Sequence, residues 1–213
     1  MSTEWDKLYK NRNFISKAPL EKIIYFAEKH KDKKIVLDLG CGIGKHSVFL
    51  TQQGFNVEGI DISSEAISKA KAWSFEIDLD INYFVSDIFS MSYFNNTFDA
   101  VISTYVIDHG TKEQVQVILN EIHRILKPNG LLITDMLSIE DDSFGGGVQV
   151  EENTFRDSIA GEEGLLHHYM TPEKIREYFQ IFNNLEYSLV IKEFGKGSEN
   201  YHVAKYYDIY AQK

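Results

Sequence analysis

The chain is poor in cysteine, proline and positive charge. Cys41 is the single cysteine among 213 residues, so no disulfide can form within the chain, and a cytoplasmic, reducing setting is expected. The three prolines leave long stretches free for regular structure. Basic residues number 22 against 32 acidic ones, for a net charge of −10. An acidic surface repels phosphate backbones, and no Lys/Arg cluster marks a groove, so nucleic acid is not an expected partner. No apolar run approaches the roughly 18 residues of a membrane span. The opening Met1-Ser2-Thr3-Glu4-Trp5-Asp6 lacks the apolar stretch of a signal peptide, so neither a membrane nor export is expected. Internal repeats and low-complexity segments are also missing. What remains is a chain that is 43% hydrophobic, long enough for one core and too short for two full-sized domains.

The most informative stretch is Ile35-Val36-Leu37-Asp38-Leu39-Gly40-Cys41-Gly42-Ile43-Gly44. Its first five residues read as a short buried strand, and Lys45 to Leu50 open a helical pattern. Strand, glycine turn and helix form the first unit of a doubly wound α/β fold. Alternate glycines permit a tight turn and let a ligand lie against bare main chain. A Walker phosphate loop is excluded because Leu39 stands where its first glycine belongs and His46 follows Lys45. A dinucleotide fingerprint needs Gly or Ala where Lys45 stands. The carboxylate of Asp38, two residues before the first glycine, would oppose a pyrophosphate. It suits a cofactor carrying an ammonium and a sulfonium, S-adenosylmethionine.

Asp38-Leu39-Gly40-Cys41-Gly42-Ile43-Gly44 resembles motif I of the class I S-adenosylmethionine-dependent methyltransferases. Later positions continue the resemblance over residues 35–136. Asp61 closes a second strand, Phe55 to Ile60, where the family's motif II acid meets the ribose diol; helix capping at Ser63-Ser64-Glu65 is the structural alternative. Asp87 and Ile88, after a strand at 81–85, fit the adenine contacts, with an ordinary turn as the rival. Phe98-Asp99-Ala100-Val101-Ile102-Ser103 is similar to the family's fourth strand, and Arg-Ile-Leu-Lys-Pro-Asn-Gly-Leu-Leu, ending at Leu132, to its link into the fifth. The resemblance implies a Rossmann-like fold: a seven-stranded, mostly parallel sheet, the last strand antiparallel, with helices on both faces. It places the cofactor against Asp38, Gly40, Cys41, Gly42 and Gly44, then Asp61 and Ile62, Asp87 and Ile88, and Thr104 and Tyr105.

Other elements follow from periodicity. Helices are expected over about 17–30, with Ser16 as N-cap and Pro19 in the first turn, and over 44–53, 64–75, 112–126 and 171–182, with Pro172 at N1. Leu131 to Met136 and two last strands, about 185–193 and 202–211, complete the sheet. One domain, 1–213, is expected, with an arm and helix at 1–32 and an insertion at 137–170. That insertion is read as a lid hinged at Gly145-Gly146-Gly147, or as plain disorder.

Methyl transfer from a sulfonium is an in-line displacement, so residues for the acceptor are harder to read than those for the donor. His109 and Asp108, in the loop after the fourth strand, are the catalytic candidates, His109 as a general base; capping of the next helix is the alternative for His109. Trp5, Tyr9, Arg156, His167, His168 and Tyr169 are the candidate acceptor contacts. The adjacent His167 and His168 point opposite ways in extended chain, so at most one faces a pocket. With no Cys or His partner at ligand spacing, no metal is expected. Cys41 is wrongly placed for pyrimidine C5 methylation, and Ser103-Thr104-Tyr105-Val106 departs from the Asp/Asn-Pro-Pro-aromatic pattern of amino-methylating DNA enzymes. The opening Trp-Asp-Lys-Leu-Tyr and Gly161-Glu162-Glu163-Gly164 resemble the small-molecule branch, including tellurite- and thiopurine-type and methyltransferase type 11/12-like enzymes. A small-molecule acceptor is the expectation. A catalytically silent S-adenosylmethionine binder and a nicotinamide oxidoreductase are the alternatives.

Overall fold

The computed structural model describes residues 3–11, 16–194, 196 and 201–213. Phe14 and Ile15 of the expected arm lie outside the described residues. Alternation along the central strands sets the layering. On β1 (Ile35–Leu39), Val36 packs to one side of the sheet with Ala100 and Ile102 of β4 (Phe98–Ser103) and Ile133 of β5 (Leu126–Leu137). Leu37, Leu39, Val101 and Leu132 pack to the other. Both faces of a parallel sheet must therefore be covered. Ile23, Phe26 and Ala27 of α2 (Glu21–Lys29) and Leu50 of α3 (Lys45–Gln52) cover the first face. The apolar stripe of α5 (Lys112–Ile125) and Ile175 and Tyr178 of α6 (Pro172–Tyr178) cover the second.

The seven-stranded sheet runs β3-β2-β1-β4-β5-β10-β9, where β2 is Asn56–Asp61, β3 Asn82–Val85, β9 Asn184–Phe194 and β10 His202–Gln212. Strands β1 to β5 pair in parallel, and β10 runs antiparallel between β5 and β9. The order reverses between β1 and β4, so the carboxyl ends of these strands diverge into a crevice. The expected seven-stranded, mostly parallel sheet with its last strand antiparallel is what the chain forms. Helix α4 (Ser64–Glu76) lies beside β2 and β3, and α1 (Glu4–Asn11) packs on α4.

Four local expectations need correction. Helix α2 begins at Glu21, with Leu20 as an uncapped N-cap, so Ser16 caps no helix. Strand β5 begins at Leu126, and a register shift around Asn129 (φ +63) and Gly130 carries the chain past Pro128. Helix α6 ends at Tyr178, short of residue 182, although Pro172 sits at its start and Thr171 caps it. The insertion is not a featureless loop: β6 (Val148–Glu151), β7 (Thr154–Arg156) and β8 (Leu166–His168) form a small antiparallel sheet. Gly147 (φ +67) belongs to this hairpin, because a Cβ there would stand 2.0 Å from the Arg156 carbonyl oxygen.

Candidate active site

The chain leaves β1 through three left-handed glycines, Gly40, Gly42 and Gly44, with φ of +70°, +56° and +82°. A Cβ on Gly40 would fall 2.3 Å from Val106, and one on Gly42 would fall 2.5 Å from the Tyr9 hydroxyl. The bare turn therefore lets the loop after β4 and helix α1 close upon it. The N–H groups of Gly40 and Cys41 both donate to the Ile60 carbonyl, at 2.8 and 2.9 Å. Gly42 N–H donates to Asp61 Oδ2, and Ser63 N–H to Asp61 Oδ1, each at 2.8 Å. Burial pushes the Asp61 carboxyl above its usual pKa, the two N–H donors work against that shift, and the nearby Asp6 adds to it.

Asp38 lies beneath the turn. Its carboxylate accepts from Ser47 N–H at 3.0 Å and from the Ser47 hydroxyl, which organises the first turn of α3. Burial pushes its pKa up to about 6, against the opposing Ser47 bonds and the Lys45 charge.

A cavity of about 310 Å³ opens beside the turn at the carboxyl edge of the sheet. Its donor-side wall holds Gly40, Cys41 and Gly42, then Asp61 and Ile62, then Asp87 and Ile88, and finally Thr104 and Tyr105. Of the expected cofactor residues, Asp38 and Gly44 do not reach this wall: Asp38 is turned to Ser47, and Gly44 is the N-cap of α3. Asp87 is exposed and accepts the Phe89 N–H at 2.9 Å, holding the turn after β3. Tyr105 adopts φ +57° and donates its N–H to Asp135 Oδ1 at 2.7 Å. Asp135 in turn pairs with buried Lys22, whose second carboxylate partner is Asp208 at 2.7 Å.

The remaining wall joins three distant pieces of chain. Asp6 buries its carboxylate at the N-terminus of α4, accepting from Ser63 Oγ at 2.8 Å, Glu65 N–H at 3.2 Å and Thr3 N–H at 2.8 Å. Burial alone would raise its pKa, but these bonds outweigh it and hold the carboxyl well below the usual range. This anchor sets α1 over the cavity, with Trp5 and Tyr9 on its lining. The His168 N–H donates to the Asp108 carbonyl at 2.8 Å, tying β8 to the loop after β4. His167 then faces the cavity, and His168 faces away toward Thr154 Oγ1 (2.7 Å) and Tyr178 Oη (3.2 Å), its pKa lowered to about 4 by burial.

His109 stands edge-on to both Trp5 and His167, each with ring centroids 4.8 Å apart. Its Nδ1 is 3.3 Å from the Leu166 carbonyl oxygen. His167 Nε2 meets Glu162 Oε2 at 2.9 Å, and its Nδ1 meets Ser158 Oγ at 3.1 Å. Asp108 lines the same end, 3% exposed, and its Oδ1 has no hydrogen-bond partner among the described residues.

Of the acceptor-side candidates, Trp5, Tyr9, Asp108, His109 and His167 come together. Arg156, His168 and Tyr169 do not line the cavity. Arg156 is exposed and bonds the Gly164 carbonyl, and the Tyr169 hydroxyl bonds Ser143 and Ser158 behind His167. Ile43, Lys45, His46 and Phe89 also line the cavity without having been expected there, whereas Val106 lies in the loop after the fourth strand and Ile159 and Glu162 in the 137–170 insertion, both expected at the site. For Lys45 and His46 a signal existed, since they open the helix directly after the glycine turn.

Residues 36–130 match the family model described as a methyltransferase domain. A ubiquinone biosynthesis O-methyltransferase from Rickettsia akari (strain Hartford) is 35% identical over 133 residues, covering 62% of this chain and 52% of that protein. The chain spans about half the length of the curated relatives it matches. Among solved structures, a SAM-dependent methyltransferase from Methanosarcina mazei superimposes with a TM-score of 0.74 at 23% identity, over 92% of this chain and 98% of that one. TehB from Haemophilus influenzae superimposes with a TM-score of 0.70 at 20% identity, over 99% of this chain and 67% of that one.

Proposed function

We propose, for a chain whose residues 36–130 match the family model of a methyltransferase domain, that it transfers a methyl group from S-adenosylmethionine to a small-molecule acceptor. The observation that carries this reading is the joint placement of Gly42 and Asp61, hydrogen-bonded to each other on the wall of one cavity. The residues present fit such a cofactor. Left-handed glycines give it bare main chain, and each Asp61 oxygen holds one N–H donor, leaving acceptor capacity for hydroxyl groups. Asp87 and Ile88 lie along the same wall.

When bound, the cofactor supplies a methyl carbon that its sulfonium already makes electrophilic. The protein aligns an acceptor lone pair with that carbon and excludes water. As the new bond forms, the carbon–sulfur bond breaks and sulfur keeps its electron pair. An acceptor that starts protonated must also lose a proton, and we assign its activation to the end of the cavity that holds Asp108 and His109. Helix α1 and the 137–170 segment serve as cover, with Trp5, Tyr9 and His167 on the acceptor side. A small acceptor is supported by the cavity of about 310 Å³, by the net charge of −10 and by the name of the Rickettsia relative. Among the described residues no helix is long and apolar enough to cross a membrane. We place the reaction in the cytoplasm and away from nucleic acid.

The test is turnover. The chain is incubated with methyl-labelled S-adenosylmethionine and a panel of small hydroxyl, amine and thiol acceptors, and S-adenosylhomocysteine is followed by mass spectrometry. Acceptor-dependent product is expected. Turnover with nucleic acid or protein, and with none of the small acceptors, would contradict the acceptor class.

A further inference from the structure

We infer that His109, Glu162 and His167 form a binding site for one divalent transition-metal cation at the acceptor end of the cavity. One ligand-type atom from each of the three lies within 4.8 Å of the others. Bonds of about 2.1 Å to imidazole nitrogen and carboxylate oxygen put neighbouring ligands about 3.0–3.4 Å apart and opposite ones about 4.2 Å apart, so side-chain adjustments that shorten the widest separation by about 0.6–1.8 Å close this set. Two imidazoles and one carboxylate suit Zn²⁺, Co²⁺, Mn²⁺ or Fe²⁺ and leave coordination positions open.

The hydrogen bonds around the cluster prepare it for a cation. The Leu166 carbonyl can only accept, so His109 Nδ1 carries a ring proton, and in the neutral ring this tautomer leaves the lone pair on Nε2. A backbone carbonyl holding the far nitrogen in this way is the usual support of a metal-bound histidine. His167 Nε2 faces Glu162 Oε2 at 2.9 Å, and two lone pairs cannot face each other at that separation. Something positive must lie between them, a proton or a metal ion, and the Ser158 hydroxyl on His167 Nδ1 permits either. Trp5 packs its ring against His109 and shields the group.

An independent observation points the same way. Asp108 is 3% exposed, lines this end of the cavity, and leaves Oδ1 without a partner among the described residues. A buried polar atom left unpaired is costly unless a ligand satisfies it. A cation beside it, or a water or acceptor held on that cation, would do so.

The site's role toward the acceptor rests on the methyl-transfer reading, although its existence does not. An acceptor hydroxyl placed on the ion loses its proton to solvent more readily, because the ion stabilises the resulting oxyanion. The acceptor class is therefore an oxygen acid able to bind a metal, such as a phenol or an enol.

The experiment uses the full chain freed of metal by chelation. Co²⁺ is added and followed by visible absorption, Zn²⁺ is followed by calorimetry at two pH values, and S-adenosylhomocysteine is titrated into the same sample. One metal per chain is expected, with tighter binding at higher pH as protons are displaced. Glu162→Gln and His167→Gln should each weaken binding at least about tenfold. Melting curves identify any variant that has failed to fold, and Glu162→Gln, at a half-buried position, remains informative if His167→Gln unfolds. Co²⁺ that binds without discrete bands, or as tightly to both folded variants as to the parent, overturns the metal site and leaves His167 and Glu162 as a proton-sharing pair. Failure of S-adenosylhomocysteine to bind, with metal binding intact, overturns the donor reading instead.

Discussion

The N–H of Gly42 donates to the carboxylate of Asp61 at 2.8 Å, so the turn after β1 and the end of β2 are held as one unit. This bond makes Asp61 a structural acceptor, and the proposed function gives it the ribose diol as well. Asp61→Ala removes charge-assisted bonds, each with a net contribution of about 1.5–3 kcal/mol. It should weaken S-adenosylhomocysteine binding at least about tenfold in calorimetry. It also strands the Gly42 and Ser63 N–H groups, so the melting temperature should fall as well. Unchanged affinity would leave Asp61 with its bonds to Gly42 and Ser63 alone.

Asp38 should impose a pH dependence on stability. Its folded pKa is raised to about 6 by burial, whereas an ordinary aspartate titrates near about 3.9. The folded state thus holds this proton more tightly than the unfolded chain does. The associated stabilisation is fully present below about pH 4 and is lost as pH rises through about 6, an effect of about 3 kcal/mol. Urea unfolding of the parent and of Asp38→Asn across this range should show the parent losing that increment relative to the variant. Parallel curves would mean that Asp38 titrates alike in the folded and unfolded chain.

Lys22 lies between Asp135 and Asp208, buried, and Asp135 also holds the Tyr105 N–H. Burial opposes the ammonium charge, but the two carboxylates outweigh it and raise the Lys22 pKa. Lys22→Met leaves these carboxylates without their cation, which should cost about 3–5 kcal/mol in urea unfolding. A loss below about 1 kcal/mol, typical of a surface pair, would contradict the assignment of this network as the support of the loop after β4.

The arm is anchored at its start by the buried Asp6 carboxylate, and Lys69 Nζ holds the Tyr9 carbonyl further along. Asp6→Ala should release α1 from Ser63 and Glu65, and hydrogen exchange across residues 4–11 should quicken. In the parent, S-adenosylhomocysteine should slow exchange over the same residues and over 140–168. Equal rates with and without ligand would remove both stretches from the proposed cover.

The donor half of the site was legible in the sequence because it is local. The glycine turn with the helix opening at Lys45, the strand end at Asp61 and the turn at Asp87 are each carried by a few consecutive residues. The opposite wall was legible in part: of the residues expected there, Trp5, Tyr9, Asp108, His109 and His167 line the cavity, and Arg156, His168 and Tyr169 do not. His109 and His167 meet because β8 pairs with a hairpin that the sequence read as loop, and because His168 N–H reaches the Asp108 carbonyl. Spacing along the chain carries no trace of such a contact, so the cluster with Glu162 could not be found there. Arg156 and Tyr169 belong to a stretch outside the α/β core that is rich in aromatic and ionisable groups, yet their bonds to Gly164 and Ser158 turn them elsewhere.

The central claim is that the cavity beside Gly40 and Gly42 takes S-adenosylmethionine rather than a nicotinamide or a nucleoside triphosphate. Calorimetric titration of the full chain with S-adenosylhomocysteine, NADH and ATP tests it directly. The account predicts saturable binding of S-adenosylhomocysteine at one site per chain, lost with Asp61→Ala, and no heat from the other two. Saturable binding of NADH with none of S-adenosylhomocysteine would contradict it.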